Sequence, residues 1–179
     1  MRRGRLTLIM GPMWAGKTCE LIQRAEGARF FTHTVDDRSK DTLYSRDAKA
    51  GERDVKHVAS FSDITTCVDC DTIIAVDEGQ FFSDKDDVQM GVEALRRRGV
   101  DVYIASLDYD SERRPFGHMH TLINDADEVV QLCARCDGCG HPAQYTHRRA
   151  GIAGQVYVGD DAYTPLCTLC FDAVKSLEM

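Results

Sequence analysis

Three groups of residues in this chain have types and spacings that could do chemistry. The first is Gly11-Pro12-Met13-Trp14-Ala15-Gly16-Lys17-Thr18, which reads G-x-x-x-x-G-K-T. Glycines at its ends let the backbone curl so that several N–H groups point at phosphate oxygens. Lys17 would reach the terminal phosphates, and the Thr18 hydroxyl would hold Mg²⁺. The second group is Asp77-Glu78. An apolar strand ending in Asp is the usual partner of such a loop, and its carboxylate orients the Mg²⁺. A Glu beside that Asp can take a proton from a nucleophile attacking the γ-phosphate. The nucleophile could be water, giving an ATPase, or a substrate hydroxyl, giving a kinase. The third group is Cys133, Cys136 and Cys139, followed much later by Cys167 and Cys170. Paired C-x-x-C units in one segment signal structural zinc, because four thiolates close a tetrahedron and leave no open position.

The first cysteine cluster allows two pairings, Cys133 with Cys136 or Cys136 with Cys139. Gly140 follows Cys139, and a small residue suits the tight turn of a zinc knuckle, which favours the second pairing. Cys133, at a strand end, then reads as a buried thiol. Cys67 and Cys70 have no second pair nearby and read as ordinary thiols. His141 and His147 could replace a cysteine ligand, but four thiols suffice. His33, His57, His118 and His120 show no ligand spacing and read as surface or strand residues.

The positioning elements follow from the apolar pattern. Residues 5–10 form a buried-type strand before the Gly-rich loop, and a helix runs from Lys17 or Thr18 to Ala25. That order of strand, loop and helix is what the phosphate motif requires. Further strands fall at 28–33, 57–60, 72–76, 101–106 and 128–132. A weak helix fits 61–70. A second helix fits 87–98, with Val88, Val92 and Leu95 as its stripe and Gly99 as its stop. A short helix fits 118–123. Residues 34–56 are charged and aperiodic and read as a loop, with Asp36, Asp37 and Arg38 at its near end. Residues 107–117 read as a loop with an exposed Arg113-Arg114 pair. The insert 140–166 reads as a long loop tied at both ends by zinc. Alternating strands and helices imply an α/β fold, a parallel sheet with helices on both faces. The domains expected are 1–132, a phosphate-loop core, and 133–179, a small zinc-binding unit.

Composition narrows the function classes. At 179 residues the chain fits one ordinary domain with a small appendage. A net charge of −7 argues against a nucleic-acid surface, which would show a basic excess. No apolar run reaches membrane-spanning length and no signal-peptide core follows Met1-Arg2-Arg3-Gly4, so neither membrane nor secretion is expected. The cysteines therefore point to metal and plain thiols in a cytoplasmic protein rather than to disulfides.

Together these residues resemble the cytosolic, zinc-containing thymidine kinases. The likeness rests on Gly11-Pro12-Met13 with Gly16-Lys17-Thr18, on Asp77-Glu78-Gly79-Gln80-Phe81-Phe82, on Leu107-Asp108 with Pro115-Phe116-Gly117, and on the zinc pairs. It spans Leu6 to Phe171. The resemblance implies a RecA-like core, a zinc-ribbon whose lasso closes over thymidine, a homotetramer, and feedback inhibition by dTTP in the substrate site. It implies ATP with Mg²⁺ as donor, and Glu78 as catalytic base. Gly11 to Thr18, Asp77, Gln80 and Arg38 would serve the phosphates. Met13, Asp36, Phe81, Leu107, Phe116, Thr146 and Tyr163 would serve the nucleoside, with Thr146 under the 5-methyl group. The match through Cys139-Gly140-His141-Pro142 implies Cys136, Cys139, Cys167 and Cys170 as the zinc ligands.

Four positions depart from the family. Ser111 stands where an aromatic residue is usual, Trp14-Ala15 replaces Phe-Ser, and Arg46 replaces His. A serine supplies no stacking, so the base is expected to rely on the lasso backbone, Phe116 and Met13. Ser111→Phe is then expected to lower the KM for thymidine, and deoxyuridine should be tolerated.

The reading is ATP-dependent 5′-phosphorylation of thymidine. A zinc-ribbon ATPase working on nucleic acid is the alternative, weakened by the charge and by the lack of a basic, aromatic-rich stripe. A non-catalytic nucleotide-binding regulator is a third, disfavoured because no motif position is lost.

Overall fold

The computed structural model describes residues 2–36, 42–44, 51–69, 72–148 and 162–178. Seven strands form the main sheet: β1 (Leu6–Met10), β2 (Arg29–His33), β3 (Thr42–Tyr44), β4 (Glu52–Val58), β5 (Ile73–Val76), β6 (Asp101–Ser106) and β7 (Glu128–Gln131). Their order is β3-β4-β2-β5-β6-β1-β7. All pairings are parallel except β3 with β4.

β1 is buried on both faces, and its alternate residues feed different cores. Leu6, Leu8 and Met10 join Val102 and Ile104 beneath α2 (Phe61–Cys67) and α3 (Lys85–Arg97). Ile9 joins Ala75 and Ala105 beneath α1 (Lys17–Arg24), which contributes Leu21 and Ile22. Helices therefore cover both faces, as a parallel sheet requires. The phosphate loop leaves the carboxyl end of β1, between β6 and β7, where ligands bind open α/β sheets.

Several expectations are corrected. Residues 34–56 are not one loop. β4 starts at Glu52, and its buried positions, Val55 and Val58, are spaced too widely among charged residues to show a period. β3 is too short to show one at all. α2 stops at Cys67 because Val68 is already extended; Cys70 lies outside the described residues. The insert 140–166 contains β9 (Pro142–Ala143), β10 (Tyr145–Arg148) and β11 (Tyr163–Leu166). β9 pairs with β8 (Ala134–Arg135), and β10 pairs antiparallel with β11. A helix that sequence reading did not foresee, α4 (Thr168–Glu178), follows directly. Cys133 is exposed rather than buried: it lies just past β7, an edge strand whose residues are half-buried or exposed.

Among the described residues, no helix is long and apolar enough to cross a membrane.

Candidate active site and metal centre

The sequence of the Gly-rich loop dictates its local shape. Trp14 takes a left-handed backbone at φ 60°, and Gly16 at φ 83° starts α1. Lys17 Nζ donates to the Pro12 carbonyl at 2.8 Å, so the ammonium arches over the loop. Thr18 Oγ1 donates to Asp77 Oδ2 at 2.9 Å. This brings the first turn of α1 against the end of β5. Asp77 is buried, and burial with the neighbouring Glu78 carboxylate pushes its carboxyl up to about 7, against the Thr18 hydrogen bond and the Lys17 charge. A buried carboxyl beside a second carboxylate and a threonine hydroxyl suits a hard cation bound through oxygen.

Glu78 is held in the left-handed region at φ 52°, an uncommon state for a residue with a Cβ. Its carboxylate accepts a hydrogen bond from the Gln80 side-chain amide. Gln80 is buried, and its Oε1 accepts from Ser106 Oγ at 3.2 Å and from Leu107 N at 2.9 Å. One amide thus joins Glu78 to the start of the loop 107–117. The end of that loop also rests on Gln80. Gly117 has φ 65°, and a Cβ there would lie 2.5 Å from the Gln80 carbonyl oxygen. Phe116 meets the Phe81 ring edge-on, with centroids 6.1 Å apart.

The third side of the site comes from the cysteine-rich end. Met13 N donates to Thr146 Oγ1 on β10 at 3.0 Å. Ala15 packs against the apolar cluster of Ala134, Ala143, Leu166 and Phe171. The structure therefore brings Met13, Lys17, Thr18, Asp77, Glu78, Gln80, Leu107, Phe116 and Thr146 into one connected arrangement. Asp36 is buried shortly after β2, near the same carboxyl edge of the sheet. Tyr163 lies on β11 opposite Arg148. Arg38 and Arg46 lie outside the described residues.

The thiols of Cys136, Cys139, Cys167 and Cys170 all lie within 4.8 Å of one another. Cys139 and Cys167 sulfurs are 3.6 Å apart. Cys133 is not in the cluster, which decides between the two pairings. Burial works against ionising Cys136, yet the N–H groups of Cys167, Cys139 and Gly138 draw it down to about 6. Hydrogen bonds with the thiols of Cys139, Cys167 and Cys136 push Cys170 up to about 12. Thiols this close resist ionising together, and a soft dication resolves that repulsion. The turn is shaped for it: a Cβ on Gly138 would lie 2.9 Å from Cys170 Sγ. The donor set fits a structural zinc. His147 is not a ligand in this arrangement; its Nε2 is 3.0 Å from Glu178 Oε1.

The thymidine kinase family model matches residues 4–171. The chain belongs to the thymidine kinase family. The thymidine kinase of Bacteroides thetaiotaomicron is 37% identical, over 95% of this chain and 88% of its own. That of Porphyromonas gingivalis is 36% identical, over 98% and 89%. The human cytosolic thymidine kinase is 34% identical, over 94% of this chain and 76% of its own. Family membership makes the protein an enzyme.

Two features of this thymidine kinase chain escaped sequence reading. The Gln80 side chain, which the resemblance assigns to the phosphates, also bonds Glu78 and Leu107. Its position in a run with Asp77-Glu78 gave no sign of which way it would face. Arg113 was expected in solvent but is only partly exposed, with Cζ 4.1 Å from the ring centroids of both Tyr145 and Phe171. Both rings lie far away in sequence, so no local pattern could reveal the contact.

Proposed function

We propose that this chain transfers the γ-phosphoryl group of ATP to the 5′-hydroxyl of thymidine, giving dTMP and ADP. The bond between the 5′-oxygen and the γ-phosphorus forms as the bond to the β,γ-bridging oxygen breaks, and the 5′-hydroxyl proton passes to Glu78. The observation that carries this reading is the placement of Glu78, fastened by Gln80 beside the Asp77–Thr18 pair and the loop that bears Leu107 and Phe116. Thr18 and Asp77 would hold Mg²⁺, which offsets charge on the transferring group. Lys17 would swing from the Pro12 carbonyl to the phosphates. Phosphoryl transfer asks mainly for positioning and electrostatic stabilisation, and these residues supply both.

Met13, Leu107, Phe116 and Thr146 would surround the base, with Asp36, Phe81 and Tyr163 completing the nucleoside site and Arg38 serving the phosphates. Thymidine and deoxyuridine differ by one methyl, worth about 0.8 kcal/mol when buried, so deoxyuridine should be accepted with modest discrimination. The four-thiol cluster supports a zinc-bearing enzyme, and the resemblance implies inhibition by dTTP occupying the same site and assembly as a homotetramer in the cytoplasm.

Incubation with ATP, Mg²⁺ and thymidine, with products identified by mass, tests the reading. Thymidine-dependent formation of dTMP and ADP is expected. ADP formation indifferent to thymidine would refute it in favour of an ATPase.

A further inference from the structure

The loop 107–117 is a small hairpin with a pocket end and a tip. Tyr109 and Pro115 pair across it, and Phe116 N donates to Asp108 O at 3.1 Å. The buried Asp110 carboxylate fixes the turn by accepting from Glu112 N at 2.8 Å, Arg114 N at 2.9 Å and Arg114 Nε at 2.8 Å. The pocket end carries Leu107 and Phe116. The tip carries Arg113, in a left-handed backbone at φ 58°.

The Arg113 side chain reaches into the zinc unit. Its guanidinium sits in the corner made by the Tyr145 ring of β10 and the Phe171 ring of α4, 4.1 Å from each centroid, the two rings meeting edge-to-face with centroids 5.7 Å apart. Nη1 meets Asp172 Oδ1 at 2.7 Å, and Nη2 donates to the Thr168 carbonyl at 3.1 Å. Glu112 adds a second tie to α4 through Lys175 Nζ at 2.9 Å. The anchoring residues flank the metal ligands: Thr168 follows Cys167, and Phe171 follows Cys170. Tyr145, which stacks on Arg113, is the neighbour of Thr146, which accepts from Met13 N. One short strand of the zinc unit therefore grips the base loop and the phosphate loop with adjacent residues.

We propose that Arg113 is a positioning residue for nucleoside binding: it fastens the hairpin that bears Leu107 and Phe116 to the zinc unit, so that the metal sets the shape of the base pocket without touching substrate. This rests on the thymidine kinase reading above. A planar guanidinium can rest against both rings of this edge-to-face pair and still direct its N–H groups to Asp172 and Thr168. A lysine keeps the charge but not the planar contact with both rings or the forked N–H donors, and an alanine keeps none of these.

The test uses the full zinc-loaded chain and its Arg113→Ala and Arg113→Lys variants. Arg113→Ala should raise the KM for thymidine about tenfold, while kcat and the KM for ATP stay within about twofold and bound zinc is unchanged. Arg113→Lys should fall between parent and Arg113→Ala. Amide hydrogen exchange over residues 108–116 should quicken in Arg113→Ala, and in the parent after chelation, before exchange over β1 and β6 does. An unchanged thymidine KM overturns the proposal. So does a proportionate loss of zinc, kcat and ATP affinity, which marks general damage. A parent that shows no thymidine turnover refutes the kinase reading; hydrogen exchange then decides this one, and unchanged exchange in Arg113→Ala overturns it.

Discussion

The Gln80 amide donates to the Glu78 carboxylate while its carbonyl oxygen accepts from the backbone of Leu107. The candidate base is thus tied to the loop that would carry the nucleoside. Gln80→Leu removes both bonds at similar volume. A hydrogen bond to a charged group is worth about 1.5–3 kcal/mol, so kcat should fall about tenfold to a hundredfold if the bond aims Glu78 in the transition state. Steady-state kinetics with ATP and thymidine check this. A rise confined to the KM for ATP would instead place Gln80 at the phosphates, the role expected from sequence.

Glu78→Gln keeps the shape and the capacity to meet Gln80 but removes the proton acceptor. kcat should fall by roughly 10²–10⁴, the usual share of a general base, with ATP binding retained. Nucleotide titration of the variant separates the two effects. Near-full turnover would take Glu78 out of the mechanism.

Metal analysis should find about one zinc per chain, since the cluster offers four thiolates and closes a tetrahedron. Cys139→Ser should lose the metal, whereas Cys133→Ser should keep it because that side chain is exposed and outside the cluster. The apolar cluster of the zinc unit is small beside the two cores of the sheet. Chelation should therefore loosen 133–148 and 162–178 before the sheet, as hydrogen exchange would report. Simultaneous loss of both would show that the sheet needs the metal to fold.

How much was legible depended on whether a pattern was local. β1, β5 and β6 are continuous apolar runs because the sheet buries both faces, so they stand out in the sequence. The phosphate loop, Asp77-Glu78 and the cysteine pairs are legible because spacing carries their chemistry. β4 was placed too late, at 57–60, because ahead of His57 its one buried residue, Val55, lies among charges. α4 was missed because it follows a metal knuckle and its apolar residues are few; Leu169 and Leu177 even point to solvent. The contacts that assemble the site are Gln80 to Leu107, Met13 to Thr146, and Arg113 to Tyr145 and Phe171. Each joins elements distant in sequence, and such contacts leave no periodic trace.

Ser111 offers the sharpest revision. From sequence, a serine in place of an aromatic residue leaves the base wall open, and Ser111→Phe should fill it and lower the KM for thymidine. In the folded chain Ser111 is only 7% exposed, next to the buried Asp110 that fixes the hairpin turn. Neighbouring atoms already occupy that space. A phenyl ring there must displace them, and overpacking of this kind typically costs about 1–3 kcal/mol. The strain would fall on the hairpin that holds Leu107 and Phe116. Ser111→Phe should therefore lower thermal stability and leave the thymidine KM unchanged or raised. Thermal denaturation and thymidine kinetics on parent and variant check both statements. A lower KM at undiminished stability would mean that the hairpin opens to receive the ring, and would restore the stacking argument.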